Sequence, residues 1–297
     1  MRKSFFALFL LSLSLFGVEN YTVFLKQYHD NEGTLLLTLR QFTHHAQRYY
    51  LILNPQTLQT TIAQLDAQSL RPLDNNAKTS LFGKLLYQST QLTDFGGIRE
   101  ATQHSTNNIF LTMDMCPSSK HGYEKEFLTQ LTNRIGKIPI GIAITSVWIK
   151  THEKEFNELS HNPLLNITWI NHTHTHFYDP RLPNSQNFMR HVGTNLNEEI
   201  LGLERTLIEK GEIPSVFFRF PGLIADQSLM RALREQYFLI PISSQAWVAK
   251  NEPIKKGSII LVHGNKNEHQ GIVLLEKKFP YLLQKYHLKT LTEAFVP

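Results

Sequence analysis

The stretch NITWINHTHTHFYDP, residues 166–180, joins a short apolar run to a loop that carries three histidines. Five other β-rich runs occur between residue 108 and the C-terminus, and helical patterns separate them. The six runs are IFLTMD (109–114), IPIGIAIT (138–145), NITWIN (166–171), SVFFRF (215–220), FLIPIS (238–243) and SIILV (258–262). Strands that alternate with helices pair in parallel, and near-continuous apolar strands are covered on both faces. The pattern predicts an α/β fold, either a (β/α) barrel or a doubly wound sheet.

The clearest helical pattern lies between the third and fourth runs. Over residues 195–210, Leu196, Ile200, Leu203 and Leu207 recur at helical spacing. Gly211 follows directly and is a typical C-terminal stop. The spacing therefore predicts one amphipathic helix that ends before Gly211.

The composition is that of an ordinary globular protein. The 297 residues are 41% hydrophobic and 19% charged, with 15 Gly and 13 Pro, which excludes collagen, coiled coil and wholesale disorder. The net charge of +5 comes from scattered Lys and Arg, so no nucleic-acid partner is expected. The chain has one cysteine, Cys116, which excludes an intramolecular disulfide.

The N-terminus has the pattern of a secretory signal peptide. Arg2 and Lys3 precede an apolar run from Phe5 to Phe16, which is shorter than the roughly 20 residues that span a bilayer. We expect cleavage near Gly17, so that residues 1–17 form the signal peptide. The mature protein is then periplasmic or secreted, without stable membrane insertion.

Residues 18–105 precede the alternating β-rich runs and helical patterns, and they are expected to form a smaller α/β accessory region. RYYLIL (48–53) predicts a strand, and Asn54-Pro55 predicts the start of a helix that runs to about Leu70. His44 and His45 are interpreted as surface residues. A linker-like segment, residues 96–108, leads to the C-terminal domain, residues 106–297.

Unusual polar residues fall at the carboxyl ends of the predicted strands. They are Asp114, His172, Arg219, Trp247 and His263. In parallel α/β folds these ends converge on the face that carries active sites. We therefore expect these five side chains to lie close together.

The histidine loop indicates a metal site. His172 and His176 lie four residues apart and can direct two imidazoles at one ion, while His174 between them should point elsewhere. Asp114 and Arg219 are charges within apolar runs, and an ion pair between them would satisfy both and keep the carboxylate ionised. The strand-end position of His263 favours a general acid.

Five segments in this order resemble the motifs of the polysaccharide deacetylases, carbohydrate esterase family four. The segments are IFLTMDMCPS, INHTHTHFYDP, FFRFPG, ISSQAW and IILVHG. The resemblance covers residues 108–297 and implies a distorted (β/α) barrel that removes N- or O-acetyl groups from glycans with a divalent metal, zinc being the expected ion. It implies that Asp114 is the catalytic base, His172 and His176 are metal ligands, Arg219 orients the base, and His263 is the general acid. It also implies a substrate groove formed by Trp247, Pro221 and Gly222.

The chain departs from the family pattern at four positions. Met115 stands where the family has a metal-binding Asp, and a thioether suits hard divalent ions poorly. Ser243 and Ala246 replace the two acidic residues of the fourth motif, so we expect His263 to lack a carboxylate partner. Gly222 replaces a commoner aromatic residue, although its backbone N–H can still serve an oxyanion.

Three candidates for the third metal ligand follow from the loss of the family Asp: Asp114, a water molecule or Cys116. We expect Asp114 to approach the ion and Cys116 to be a small buried residue that binds nothing. On that expectation, Met115→Asp would tighten metal binding without disturbing the fold.

The sequence therefore predicts a secreted, metal-dependent hydrolase that removes acetyl groups from a polysaccharide or cell-wall glycan. The loss of the family acids keeps one alternative open, a catalytically impaired glycan-binding protein on the same fold. A hydrolase of a non-sugar amide is a third reading.

Overall fold

The computed structural model describes residues 17–102 and 106–296. The predicted signal peptide lies almost entirely outside these residues. In the described part of the chain, no helix combines the length and the hydropathy needed to cross a bilayer. The structure contains an N-terminal antiparallel sheet and a larger parallel sheet surrounded by helices.

The N-terminal region forms a four-stranded antiparallel sheet, in the order β1-β2-β3-β4, followed by two short helices. Its elements are β1 (Glu19–His29), β2 (Leu35–His44), β3 (Gln47–Leu53), β4 (Thr60–Ala63), α1 (Asn75–Thr79) and α2 (Leu81–Ser89). His45 and Ala46 connect β2 to β3 with positive φ angles of 49° and 60°, which matches the twist of a tight hairpin. The predicted strand 48–53 is confirmed as β3.

Two sequence predictions in this region are wrong. The predicted helix 54–70 is a turn followed by β4, because the Asn54 side chain accepts hydrogen bonds from the backbone of Gln56 and Thr57 and so closes a turn. The β-branched residues that follow pair with β3 instead. His44 is buried, although His45 is exposed as expected.

The larger sheet is parallel throughout, in the order β10-β11-β5-β6-β7-β8-β9, with β12 also paired to β5. Its strands are β5 (Asn108–Met115), β6 (Ile138–Ile144), β7 (Leu165–Asn171), β8 (Phe217–Phe218), β9 (Ile240–Pro241), β10 (Ala246–Trp247), β11 (Ile259–His263) and β12 (His287–Leu288). All six predicted strands are confirmed, although β8 and β9 are shorter than predicted. The sheet curls into a half-barrel, in agreement with the distorted barrel that the resemblance implies.

Helices cover the outer face of this sheet. They are α3 (Lys125–Ile135), α4 (Ser146–Thr151), α5 (Glu153–Ser160), α6 (Leu196–Glu209), α7 (Gln227–Ala232) and α8 (His269–Lys285). The predicted helix 195–210 is confirmed as α6. The Asn195 side chain caps its start by accepting from the Glu198 N–H, and Gly211 follows its end with φ 84°.

The segment that the sequence marks as a linker closes the barrel. Ile98 forms a parallel bridge with Ile242 beyond β9, and Glu100 forms an antiparallel bridge with Ser258 before β11. Gly97 permits this approach, because a Cβ atom there would lie 2.3 Å from the Pro241 carbonyl oxygen. The linker interpretation is therefore wrong for residues 97–101, which fill the seam between the two edges of the sheet.

The N-terminal sheet and the barrel share one apolar core. Leu39 of β2 and Phe82 of α2 belong to the same buried cluster as Phe110, Ile170 and Phe217 from the barrel strands. Phe110 lies near the start of β5 and Phe217 begins β8, whereas Ile170 is the second-last residue of β7. The N-terminal region therefore packs against the face of the barrel sheet that the outer helices leave uncovered.

A buried ion pair joins the two parts of the chain. Arg40 of β2 donates to both carboxylate oxygens of Glu204 in α6, at 2.7 and 3.0 Å, and both side chains are at most 1% exposed. The Tyr21 hydroxyl donates to the same carboxylate at 2.9 Å. The geometry is bidentate, which makes loss of one partner costly.

Replacing Arg40 with Met should lower the free energy of unfolding by about 3–5 kcal/mol, because the Glu204 carboxylate would remain buried without its partner. Lys125→Met, which breaks the exposed Lys125–Glu158 pair, should leave stability almost unchanged. Urea unfolding followed by circular dichroism measures both. Equal losses in the two variants would contradict a special role for the buried pair.

Candidate functional site

The carboxyl ends of the barrel strands surround a cleft of about 940 Å³. Its lining includes six residues that the sequence singles out, namely Asp114, His172, His176, Gly222, Trp247 and His263. Arg219 is fully buried beside Asp114, and Pro221 is buried next to Gly222 without lining the cleft. The strand-end pattern in the sequence therefore locates the cleft correctly.

Asp114 and Arg219 form the predicted ion pair. Arg219 Nη1 lies 2.5 Å from Asp114 Oδ1, and both side chains are at most 5% exposed. Burial by itself raises the pKa of Asp114, but the Arg219 guanidinium and the neighbouring His172 outweigh it and hold the pKa below its ordinary value. The carboxylate is thus ionised at neutral pH and fixed in direction.

Arg219 also orders the strands around this pair. Its Nη2 donates to the Ser243 carbonyl at 3.0 Å, and its backbone N–H donates to the Asn171 carbonyl at 2.8 Å. Its own carbonyl lies 2.9 Å from His172 Nδ1. One residue therefore connects the ends of β5, β7 and β9.

The histidine loop has an unusual, well-supported backbone. Thr173 and His176 have positive φ angles of 74° and 51°, which non-glycine residues seldom adopt. The Thr173 N–H donates to Asn171 Oδ1, and the His176 N–H donates to Thr173 Oγ1. Glu199 of α6 accepts from both the N–H and the hydroxyl of Thr175. These bonds hold the loop in the one shape that presents His172 and His176 together.

His172 and His176 form a cluster with Cys116. One donor atom from each of the three residues lies within 4.8 Å of the other two, and Cys116 Sγ is 3.5 Å from His172 Nε2. His176 Nε2 is buried with no partner among the described residues. His174 turns away toward Glu198, at 3.8 Å, as the sequence predicts.

The chemistry of this donor set suits a divalent metal. Imidazole nitrogens and a thiolate are zinc ligands, and a buried, unpartnered imidazole nitrogen is costly unless something binds it. Burial opposes ionisation of the Cys116 thiol, but His176 and His172 outweigh it and hold the thiol pKa well below its ordinary value. The residues present therefore fit a zinc-like ion.

Met115 takes no part in this cluster. It is fully buried in the apolar core between the sheet and its outer helices, on the face of β5 opposite Asp114. Its sulfur packs so closely beneath Gly264 that a Cβ atom there would be 2.7 Å from it. The expectation that Asp at this position would join the metal site without disturbing the fold does not agree with this packing.

His263 has a carboxylate partner that the motifs do not predict. Its Nδ1 lies 2.8 Å from Oε2 of Glu268, five residues further along the chain. Burial lowers the pKa of His263, but hydrogen bonds with Cys116 and Glu268 outweigh it and raise the pKa to about 10. The expectation that His263 lacks such a partner is wrong, because Glu268 comes from the loop before α8 and not from the fourth motif.

Glu268 also fixes Trp247. The indole Nε1 donates to the same Oε2 atom at 2.8 Å, and Lys250 Nζ lies 3.5 Å from the ring centroid. The ring is half-buried, and Lys250 covers one of its faces. Trp247 therefore presents its remaining surface to the cleft in a fixed orientation.

The Phe188 ring leaves no room for a side chain at Gly222 of the third motif. Gly222 has φ 63°, and a Cβ atom there would lie 2.7 Å from the Phe188 ring. Phe188 comes from the loop after β7 and stacks on Tyr178, with ring centroids 5.3 Å apart. An aromatic ring from another part of the chain thus lies where a side chain at position 222 would project.

Glu268 and Phe188 act from outside the motifs, so the motif pattern does not predict either residue. Glu268 lies five residues beyond His263 in a polar loop, and an acid at that distance is a weak signal on its own. Phe188 lies in a loop with no regular pattern. Only the folded chain brings either residue to the cleft.

The fold is that of the carbohydrate esterases of family four. Similar solved structures include a family 4 carbohydrate esterase from Bacillus anthracis, 20% identical, with a TM-score of 0.52 over 72% of this chain and 91% of that one. Another is the family 4 carbohydrate esterase PdaA of Bacillus subtilis, 14% identical, with a TM-score of 0.51 over 71% of this chain and 87% of that one. A third is the peptidoglycan N-acetylglucosamine deacetylase Bc1960, 17% identical, with a TM-score of 0.50 over 67% and 91%.

The N-terminal sheet has a separate match. Residues 20–91 match the family described as the RP012 protein N-terminal domain. This match covers β1 to α2 and stops before the segment that closes the barrel.

Met115→Asp should destabilise the protein by about 3 kcal/mol or more, because it places a carboxylate in a fully apolar environment. Met115→Leu, of similar volume, should cost less than about 1.5 kcal/mol. Thermal unfolding of the two variants measures the difference. A stable Met115→Asp protein with tighter zinc binding would restore the expectation drawn from the sequence.

Glu268→Gln should lower the pKa of His263, because the imidazolium loses the carboxylate that accepts its Nδ1 proton. The His263 ring signal, followed by NMR as pH is raised, should titrate at lower pH than in the parent protein. Glu276→Gln, a charge-matched change about two turns further along α8, is the control. An unchanged His263 titration in Glu268→Gln would remove Glu268 from this role.

Proposed function

We propose that this protein is an exported, metal-dependent hydrolase that removes acetyl groups from a polysaccharide or cell-wall glycan. The observation that carries the proposal is the pairing of opposite proton-transfer groups in one cleft. Asp114 is held ionised by Arg219, and His263 is held protonated with the help of Glu268. Groups whose pKa values are driven apart in this way are suited to act as base and acid in one reaction.

Asp114 would act as the general base. Arg219 occupies its Oδ1 atom, so Oδ2 remains available to accept a proton from an attacking water molecule. The ion pair also prevents the carboxylate from rotating away, which keeps the reacting distance constant.

His263 would act as the general acid. Its Nδ1 is engaged by Glu268, so Nε2 carries the proton that the leaving amine or alcohol needs. His263 pairs with Asp114 in the register of β11 and β5, which places the two groups on neighbouring strands. A substrate carbonyl between them would meet the base and the acid at once.

The metal would be held by His172 and His176. Once bound by these residues, a divalent ion would supply polarisation of the acetyl carbonyl and a lower pKa for a coordinated water molecule. His172 is oriented for this by the Arg219 carbonyl at its Nδ1, which leaves Nε2 free to bind.

Aromatic rings around the cleft support a glycan as the substrate. Phe177, Tyr178, Phe188 and Trp247 all line it. Phe177, Tyr178 and Trp247 are partly exposed, and flat aromatic rings suit the apolar faces of sugar rings, while polar groups beside them can bind hydroxyls. The apolar run of residues 5–16 supports export to the periplasm or the exterior, where such polymers occur.

Asp114→Asn tests the proposed function. It should retain metal but reduce acetate release by at least about 10²-fold, because the amide cannot accept the water proton. The assay measures acetate from acetylated chitin oligomers, peptidoglycan fragments and acetylated xylan, with the purified mature protein loaded with zinc.

Arg40→Met is the matched control for lost stability. Both variants leave one member of a buried ion pair alone, but only Asp114 lies in the cleft. Folded Arg40→Met should therefore keep its turnover per molecule. Near-normal turnover in Asp114→Asn would remove Asp114 from the mechanism. Glycan binding without acetate release in the parent protein would favour the glycan-binding alternative.

A further inference from the structure

We propose that Cys116 is the third protein ligand of the metal site, with His172 and His176, and that the site selects zinc-like ions over magnesium and manganese. This inference rests on the metal dependence in the proposed function. The family's metal-binding carboxylate is absent at Met115, and the Cys116 thiolate one residue further along the chain would take its place.

The distances agree with three ligands around one ion. With zinc bonds of about 2.3 Å to sulfur and about 2.05 Å to nitrogen, tetrahedral geometry places sulfur and nitrogen about 3.6 Å apart. Cys116 Sγ and His172 Nε2 are 3.5 Å apart. The three donor atoms all lie within 4.8 Å of one another, so a small adjustment of the His176 side chain completes the triangle.

Each imidazole has a nitrogen available for binding. His172 Nδ1 donates to the Arg219 carbonyl at 2.9 Å, which leaves the lone pair of Nε2 directed toward Cys116. His176 Nε2 is buried and unpartnered among the described residues. Both rings are thus arranged as ligands before any ion binds.

The backbone directs Cys116 into the cleft. Cys116 directly follows the last residue of β5, and its side chain lines the cleft together with Asp114, whereas Met115 is buried in the apolar core. Asn265 Nδ2 donates to the Cys116 carbonyl at 2.7 Å and holds the chain where it leaves the strand. The sulfur position is therefore fixed from the loop after β11.

Asp114 is the less suitable third ligand. Its Oδ1 is bound to Arg219, and its Oδ2 is 3.8 Å from His172 Nε2, while no comparable approach to His176 is present among the described residues. Assigning the sulfur to the ion leaves Asp114 free as a base. In the family motif, two neighbouring Asp residues serve as base and as metal ligand. Here Asp114 would serve as the base and the Cys116 thiolate as the ligand.

A sulfur ligand changes which metal is bound. Thiolate and imidazole favour zinc and cobalt, whereas magnesium and manganese favour oxygen ligands. We expect the apoprotein to bind one zinc or cobalt ion tightly and to bind magnesium or manganese weakly.

The test uses the full-length mature protein, stripped with a chelator and reloaded with Co²⁺ or Zn²⁺. Cobalt bound to Cys116 should give a sulfur-to-metal charge-transfer band in the near ultraviolet, and Cys116→Ser should abolish it. Chelator competition should show zinc affinity reduced by at least about 10²-fold in Cys116→Ser, since even loss of an outer partner costs 10–100-fold. His174→Asn, a histidine of the same loop outside the cluster, should leave both readouts unchanged.

The single cysteine gives a second, independent readout. Alkylation of the thiol by iodoacetamide should be rapid in the apoprotein and slow after zinc is added, and mass spectrometry identifies the modified residue as Cys116. His176→Asn should reduce the protection, whereas His174→Asn should not.

The outcomes separate this inference from the proposed function. Zinc bound with unchanged affinity in Cys116→Ser, or cobalt bound without the charge-transfer band, would overturn the ligand assignment even if acetate is released. An acetyl group found on Cys116 in a metal-free active protein would overturn it in favour of a nucleophile. Sulfur-bound zinc without acetate release would support the assignment and count against the proposed deacetylase activity.

Discussion

The buried guanidinium of Arg219 is the interaction on which the cleft depends. The guanidinium donates to the Asp114 carboxylate and to the Ser243 carbonyl. The backbone of Arg219 bonds to two further residues: its N–H donates to the Asn171 carbonyl, and its carbonyl accepts from His172 Nδ1. A charge this deeply buried needs an ionic partner and hydrogen bonds, which Asp114 and Ser243 supply to Nη1 and Nη2. Because those partners belong to different strands, the need to satisfy one side chain fixes the base, orients a metal-binding imidazole and holds the strand ends together.

At three places where the chain departs from the family motifs, another side chain lies close to the altered position. Cys116 lies near the two histidines where Met115 offers no ligand, Glu268 binds His263 where Ser243 and Ala246 carry no charge, and the Phe188 ring fills the space above Gly222. In each case a side chain outside the motif position lies at the cleft. Chemistry in a cleft requires donors at given points, and a folded chain can supply them from more than one loop.

The N-terminal region shows where local patterns mislead. Asn54-Pro55 has the composition of a helix start, but the Asn54 side chain satisfies the backbone of a turn and the chain continues as β4. The polar, glycine-containing stretch after Phe95 has the composition of a linker, yet it supplies the backbone hydrogen bonds that the open sheet edges require. Both segments adopt structures that depend on distant partners, which composition does not record.

The sequence by itself determined the parallel α/β fold, the six predicted strands and the gathering of Asp114, His172 and His263 at one face. Alternating apolar runs and helices encode that architecture, and strand ends of a parallel sheet converge whatever the loops contain. Only the tertiary structure decided which residues complete the site. Glu268 comes from a loop whose course depends on the packing of the whole barrel, and the choice of Cys116 among the candidate ligands depends on where the histidine loop places His172 and His176.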